Sequence, residues 1–261
     1  MKNSIASLTF AAALALIGAG CSSKSSSSSA TQPAPTQTVD PATTGSVSGT
    51  VRLNGTPPKL RPINMSAEPY CDKAHPTPVM PPEVVVGPGG ALANVVVYVK
   101  GEALQNYRYS TSTQPVVLDQ RGCMYEPHVV ALMVKQPLEV KNDDQTTHNV
   151  HAVPNENPEW NQSQPIGAAP FEEHFDIPEL ALPIRCNVHP WMNAYVFVFA
   201  SPYFATTGTD GHFEIKNVPP GTYTVEAWQE KYGMGDQTVT IAPNQSKQVS
   251  FAFNSTTSAS Q

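Results

Sequence analysis

From Ser46 onward the chain alternates apolar and polar residues with a period of two, and helical periodicity is nearly absent. "SVSGTVRLNGTPP" sets Val47, Val51 and Leu53 on one face and stops at an Asn-Gly turn signal. "GPGGALANVVVYVKG" is a glycine turn followed by an apolar run of the buried-strand type. "TDGHFEIKNVPPGTYTVEAW" reads as two short strands joined by Pro-Pro-Gly, and "DQTVTIAPNQSKQVSFAF" as two more. Short strands at this spacing bury their apolar faces by closing sheet against sheet, so the expected fold class is all-β, built of antiparallel sandwiches. The 26 prolines among 261 residues agree, because proline removes a backbone donor and clashes inside a helix.

A chain of this length can hold one large or two modest domains around a real core. Its net charge of -6 offers no cationic surface to phosphate, so nucleic acid is not an expected partner.

The N-terminus points to export. Lys2 precedes an apolar run from Leu8 to Ile17, too short for a permanent membrane span, and "LIGAGC" ends at Cys21. Residues 1–21 resemble a bacterial lipoprotein signal, which implies lipidation of Cys21 and a lipid-anchored, periplasm-facing protein. Ser22 after the cysteine resembles signals for the outer membrane of two-membrane cells. The pattern departs from such signals at Gly18, where leucine is usual, and a plain secretory peptide cleaved nearby is the alternative. The Ser/Thr/Pro/Gln-rich residues 22–45 cannot bury a core and read as a flexible tether, reaching about 25–30 Å. With Cys21 lipidated, Cys71, Cys123 and Cys186 remain for an oxidising compartment. The economical arrangement joins Cys71 to Cys123 and reserves Cys186; pairing Cys186 with either partner would abolish the site described next.

"LEVKNDDQTTHNVHAV" is a strand, a polar turn and His148, while "ALPIRCNVHPWMNAYVFVFA" is a strand, a loop carrying Cys186, His189 and Met192, and a last strand. Two imidazoles and a thiolate form a trigonal set, with a thioether as weak axial ligand, and that donor list matches a blue-copper electron-transfer site. Structural zinc seldom accepts methionine, and the C-x-x-C-H of a c-type haem and the four cysteines of an iron–sulfur cluster are missing. Catalysis by a Cys186–His189 pair would leave Met192 without a role. His151 is an alternative to His148 as ligand, but three positions along a strand it should face the other side of the sheet. His75, His128, His174 and His212 read as surface or locally bonded residues, Asp143–Asp144 and Glu172–Glu173 as solvated turns, and Met124 and Met133 as core.

Two resemblances follow. "SVSGTVRLNG", "LANVVVYV" and "TDGHFEIKNVPPGTYTVEAW" resemble the carboxypeptidase-regulatory-like (prealbumin-like) β-sandwich family. "HNVH" with "C-x-x-H-P-x-M", and "GCMYEPHVVALMVKQPLEVKNDD" upstream, resemble the cupredoxin family of amicyanin- and plastocyanin-like blue copper proteins. Together they imply a cupredoxin Greek-key sandwich over 111–201, inserted between two parts of a small prealbumin-like sandwich, 46–110 and 202–255, with a disordered tail over 256–261. Two separate domains in series are the other arrangement. The cupredoxin resemblance implies His148, Cys186, His189 and Met192 as ligands of one type 1 copper. It further implies that Asn149 braces the cysteine loop and that the loop histidine lies under an apolar patch. Pro190 stiffens the loop and leaves no unsatisfied donor beside His189. Trp191 reads equally as part of that patch and as core packing.

The expected function is therefore that of an electron carrier serving a redox partner protein such as a cytochrome, dehydrogenase or oxidase. It is not expected to be an enzyme, since no H-x-H motif supplies a second copper centre. The alternatives are extracytoplasmic copper handling and a structural sandwich with a vestigial site.

Overall fold

The computed structural model describes residues 36–256. The expected signal segment with Cys21, tether residues 22–35 and tail residues 257–261 lie outside the described residues. Within the expected tether, the backbone amides of Thr36 and Gln37 donate to Asn106 O (3.2 and 3.0 Å), so the chain is hydrogen-bonded to the body well before the first strand.

Among the described residues there are 17 strands and little helix, so the chain is all-β. In order, β1 (Gly45–Asn54) leads through a short helix α1 (Pro69–Ala74) to β2 (Val96–Lys100). Next come β3 (Val116–Arg121), β4 (Met124–Glu126), β5 (Val129–Met133), β6 (Leu138–Asn142), β7 (His148–Ala152) and β8 (Trp160–Gln164). They are followed by β9 (Phe171–Glu173), β10 (Glu179–Arg185), β11 (Asn193–Phe199) and β12 (Phe204–Thr206). The chain closes with β13 (His212–Val218), β14 (Gly221–Gln229), β15 (Gly233–Ile241), β16 (Ser246–Gln248) and β17 (Phe251–Asn254).

These strands form four sheets, and the side-chain alternation explains how they stack. The sheet β13-β1-β16, with β17 also on β1, faces the sheet β12-β2-β14-β15 across a core holding Val47, Val51, Leu92, Phe213, Tyr223 and Val225. The sheet β5-β11-β10-β7-β8 faces the sheet β4-β3-β6-β9 across a second core holding Leu118, Leu138, Val140, Val150, Ile184 and Val196. Between the two sandwiches lies a third apolar layer, with Val96, Tyr98, Val129, Phe197 and Phe199 at its centre and Trp228 packed against it. Strands β2 and β11 are thus buried on both faces. In β2, Val97 and Val99 point into one core while Val96 and Tyr98 point into the junction. In β11, Ala194, Val196 and Val198 point into the second core while Phe197 and Phe199 point into the junction. A strand facing apolar layers on both sides must lose its polar alternation, which is why "NVVVYV" and "AYVFVF" read as continuous apolar runs.

The pairing is not wholly antiparallel. β1 runs parallel to β16 and β17, β3 to β6, and β5 to β11. Parallel neighbours need long crossovers rather than hairpins, and alternation within a strand carries no information about which distant strand will lie beside it.

Of the histidines read as surface or locally bonded residues, His128 is not at the surface. It is buried at the junction, with Nδ1 3.1 Å from Asn193 O and Nε2 2.6 Å from Glu230. Met124 and Met133 are core residues.

Candidate metal centre

Two elements converge on the site. β6 ends at Asn142, whose side chain accepts from Asp144 N (3.0 Å) and donates to Thr146 O (3.0 Å), and this polar turn delivers His148 to the first position of β7. The second element is the turn between β10 and β11. Its ends are tied by Cys186 N donating to Met192 O (3.1 Å), and Met192 N donates to His189 O (2.9 Å). Asn149 joins the two elements: its Oδ1 accepts from Asn187 N (2.6 Å) and lies 3.5 Å from Cys186 Sγ, while its Nδ2 donates to Asn161 Oδ1 (2.7 Å). Tyr125 OH donates to Asn149 O (2.5 Å), fixing that residue from the opposite sheet.

The ligand atoms of His148, His189 and Cys186 lie within 4.8 Å of one another, and all three residues are buried. Nδ1 of His148 and Nδ1 of His189 are 2.8 Å apart, and Cys186 Sγ is 3.7 Å from His189 Nδ1. Met192 is buried in the same core as Cys186. Among the described residues Cys186 is the free thiol, and Cys71 and Cys123 are joined as a disulfide. His151 faces the other way, with Nε2 2.7 Å from Glu159 and Nδ1 3.3 Å from Asn187 Oδ1. Pro190 is exposed.

Asp144 carries a role that the reading of Asp143–Asp144 as a solvated turn missed. Asp143 does reach solvent, paired with Lys141 and Arg121. Asp144 instead is buried, and its carboxylate accepts from Gly122 N (2.7 Å), Cys123 N (2.7 Å), Tyr70 OH (3.0 Å) and His148 Nε2 (2.8 Å). A buried carboxylate is tolerable only when so fully hydrogen-bonded. By accepting from Nε2–H it keeps a proton on that nitrogen, so Nδ1, which faces Cys186 and His189, is the nitrogen a metal would take once its own proton leaves, as in metal-bound histidines with outer partners. The signal was available in the sequence as the D-x-x-x-H spacing, since a ligand histidine needs a partner for its second nitrogen.

The electrostatics favour ligand forms. Burial pushes the Cys186 thiol up, but hydrogen bonds from His148 and from the backbone at Asn149, His189 and Val188 outweigh it and hold the thiol below its usual range. The thiolate is the metal-binding form. Burial, then the adjacent His148, hold His189 below the usual histidine range and so neutral. Burial alone would lower His148, yet its bonds to Asp144 and Cys186 raise it, so a metal entering here would displace a proton from that ring. Burial raises Asp144, but the His148 bond and the backbone bonds from Cys123 and Gly122 bring it below the usual range. Two borderline nitrogen donors and a soft thiolate, converging in a buried pocket, fit a thiophilic transition metal.

His189 is 0% exposed. Trp191 is half-buried, with its ring 5.2 Å from that of His189 and its Nε1 donating to Cys123 O (3.0 Å). It therefore ties the loop to the disulfide turn.

Residues 188–254 match the family model of the carboxypeptidase regulatory-like domain. No curated protein matches the chain. Among solved structures, a copper-containing nitrite reductase from Thermus scotoductus SA-01 is 19% identical over 33% of this chain and 22% of its own, with a TM-score of 0.31. A purple cupredoxin from Nitrosopumilus maritimus is 24% identical over 29% of this chain and 82% of its own, at a TM-score of 0.26. An oxidised amicyanin variant is 19% identical over 33% and 82%, at 0.30. Likeness at this level says nothing of ligands or activity.

Proposed function

We propose that this chain is a lipid-anchored, periplasm-facing type 1 copper protein that carries single electrons between redox partner proteins and catalyses no reaction of its own. The observation that carries the reading is the buried convergence of a ring nitrogen of His148, a ring nitrogen of His189 and Cys186 Sγ, mutually within 4.8 Å. Copper held there would supply a one-electron couple between Cu(I) and Cu(II). The chain's own part is positional. Asp144 fixes the His148 ring, Asn149 locks the cysteine loop to β7, and Met192, bonded through its backbone to His189 and Cys186, ends the loop and would offer copper a thioether. Preset ligands that need not move between oxidation states keep the reorganisation of electron transfer small. The anchor rests on the segment ending at Cys21, and fatty-acid labelling of the expressed protein tests it, with a Cys21→Ser chain that keeps its label refuting it.

A second reading, capture of Cu(I), is favoured by the burial of the soft donors, Cys186 and Met192, which suit that oxidation state. Visible absorption and EPR of the Cu(II)-loaded protein separate the two. The carrier reading expects an intense thiolate-to-copper band that Cys186→Ser abolishes and Met192→Leu keeps, with a higher reduction potential. An unchanged spectrum in Cys186→Ser sinks the copper-thiolate site. Complete loss of copper in Met192→Leu makes the methionine a primary ligand and favours capture.

A further inference from the structure

His189 stands between two groups of sulfur. Its Nδ1 faces His148 and Cys186, as described. A ring nitrogen of the same residue also lies within 4.8 Å of the sulfurs of both Cys71 and Cys123, and all three residues are buried. Nε2 of His189 is buried and has no hydrogen-bond partner, an arrangement that ordinarily costs a protein the full desolvation of that atom. Around this trio the protein is already rigid. Trp191 Nε1 is bonded to Cys123 O, and Asp144 holds the amides of Gly122 and Cys123 and the hydroxyl of Tyr70, the residue before Cys71.

We propose that reduction of the Cys71–Cys123 disulfide opens a second site for a soft monovalent cation, Cu(I), with the two cysteine sulfurs and His189 as its ligands. The reductant is a dithiol. One of its thiolates attacks a protein sulfur, its second thiolate releases the mixed disulfide, and two electrons pass to the protein as the dithiol closes to its own disulfide. Each freed protein sulfur takes a proton. Cu(I) then binds without change of oxidation state, displacing those two protons as the thiols become thiolates. A neutral imidazole has one lone pair, so His189 serves one metal at a time. Reduction therefore gives copper a choice between a mixed nitrogen–sulfur set and a sulfur-rich set, and Cu(I) prefers the softer donors. The site adds a redox-controlled Cu(I) seat to the copper centre and does not depend on that centre being blue.

The test uses the full chain carrying Cys186→Ser, which breaks the first donor set. Cu(I) binding is measured against a chromophoric Cu(I) chelator, before and after reduction with a phosphine that is then removed. Reduction is expected to tighten binding by about 100-fold or more, for one equivalent of Cu(I). X-ray absorption of that complex is expected to show two sulfur ligands. Adding Cys71→Ser and Cys123→Ser should remove the gain. Equal binding before and after reduction, or an unchanged gain in the triple variant, overturns the proposal. Should those variants fold poorly, the wild-type chain gives the same answer: its Cu(I) complex should pass from one cysteine sulfur to two on reduction, and a count that stays at one overturns it. Failure of the blue-copper reading is seen separately, in the Cu(II) spectrum of the oxidised wild-type protein.

Discussion

The core between β1 and β14 is made of valine, leucine, isoleucine, alanine, phenylalanine and tyrosine. The core between β6 and β10 lies beside buried His148, His189, Asp144, Asn149, Asn142, Gln120 and Gln164. Both sandwiches use the same strand chemistry, so the difference lies in what each excludes. The first buries mostly apolar area, and its buried Gln229 is spent on backbone, serving Glu83 O and the amides of Lys231 and Tyr232. The second accepts desolvation in order to fix the direction of a few lone pairs. Polar groups in a core are weak evidence for stability and stronger evidence for a site.

Substitutions on the two sides should therefore fail in different ways. The largest effect is expected from Phe213→Ala in the apolar core: a loss of about 3–5 kcal/mol in denaturant unfolding, with the metal affinity of the folded fraction unchanged. If that variant instead loses metal at full stability, the two cores are not separable in function. Asp144→Asn should do the reverse, lowering metal affinity by about 10- to 100-fold through loss of the His148 tautomer lock, as read by chelator competition. Affinity within twofold of wild type would reduce Asp144 to a brace for the disulfide turn.

The smallest effect concerns Glu179, at the start of β10. Burial raises its pKa, but bonds from the Asn157 side chain and the amides of Asn155 and Asn157 bring it below the usual glutamate range. A depressed folded pKa means that its contribution is present above about pH 4.5 and lost as pH falls through the folded value. Glu179→Gln should cost about 1 kcal/mol at pH 7 and flatten the acid limb of the stability profile, leaving metal affinity untouched. Parallel pH profiles for the two proteins would count against the assigned shift.

Legibility followed the same divide. Alternation located β1, β13, β14, β15 and β17, an unbroken apolar run located β2, and together they gave the all-β class, because a strand's own residues report which faces are buried. The donor residues were visible too, since histidine, cysteine and methionine at close spacing have few uses together. Asp144 escaped because its neighbours Asn142, Asp143 and Gln145 make a turn whose composition reads as wet. Only the fold brings the amides of Gly122 and Cys123 over that carboxylate. The place of His189 beside the disulfide escaped for a similar reason: that turn comes from chain positions far from its own loop.

The doubly buried strand β11 has a practical consequence. The stretch recognisable as a regulatory-like domain begins at Val188, so a boundary drawn there parts Cys186 from His189 and Met192. It also takes away the strand that lies between β5 and β10, leaving an open sheet edge of the kind that invites aggregation. As an expression fragment, that stretch would carry half of a metal site and a single strand of the sheet that holds it.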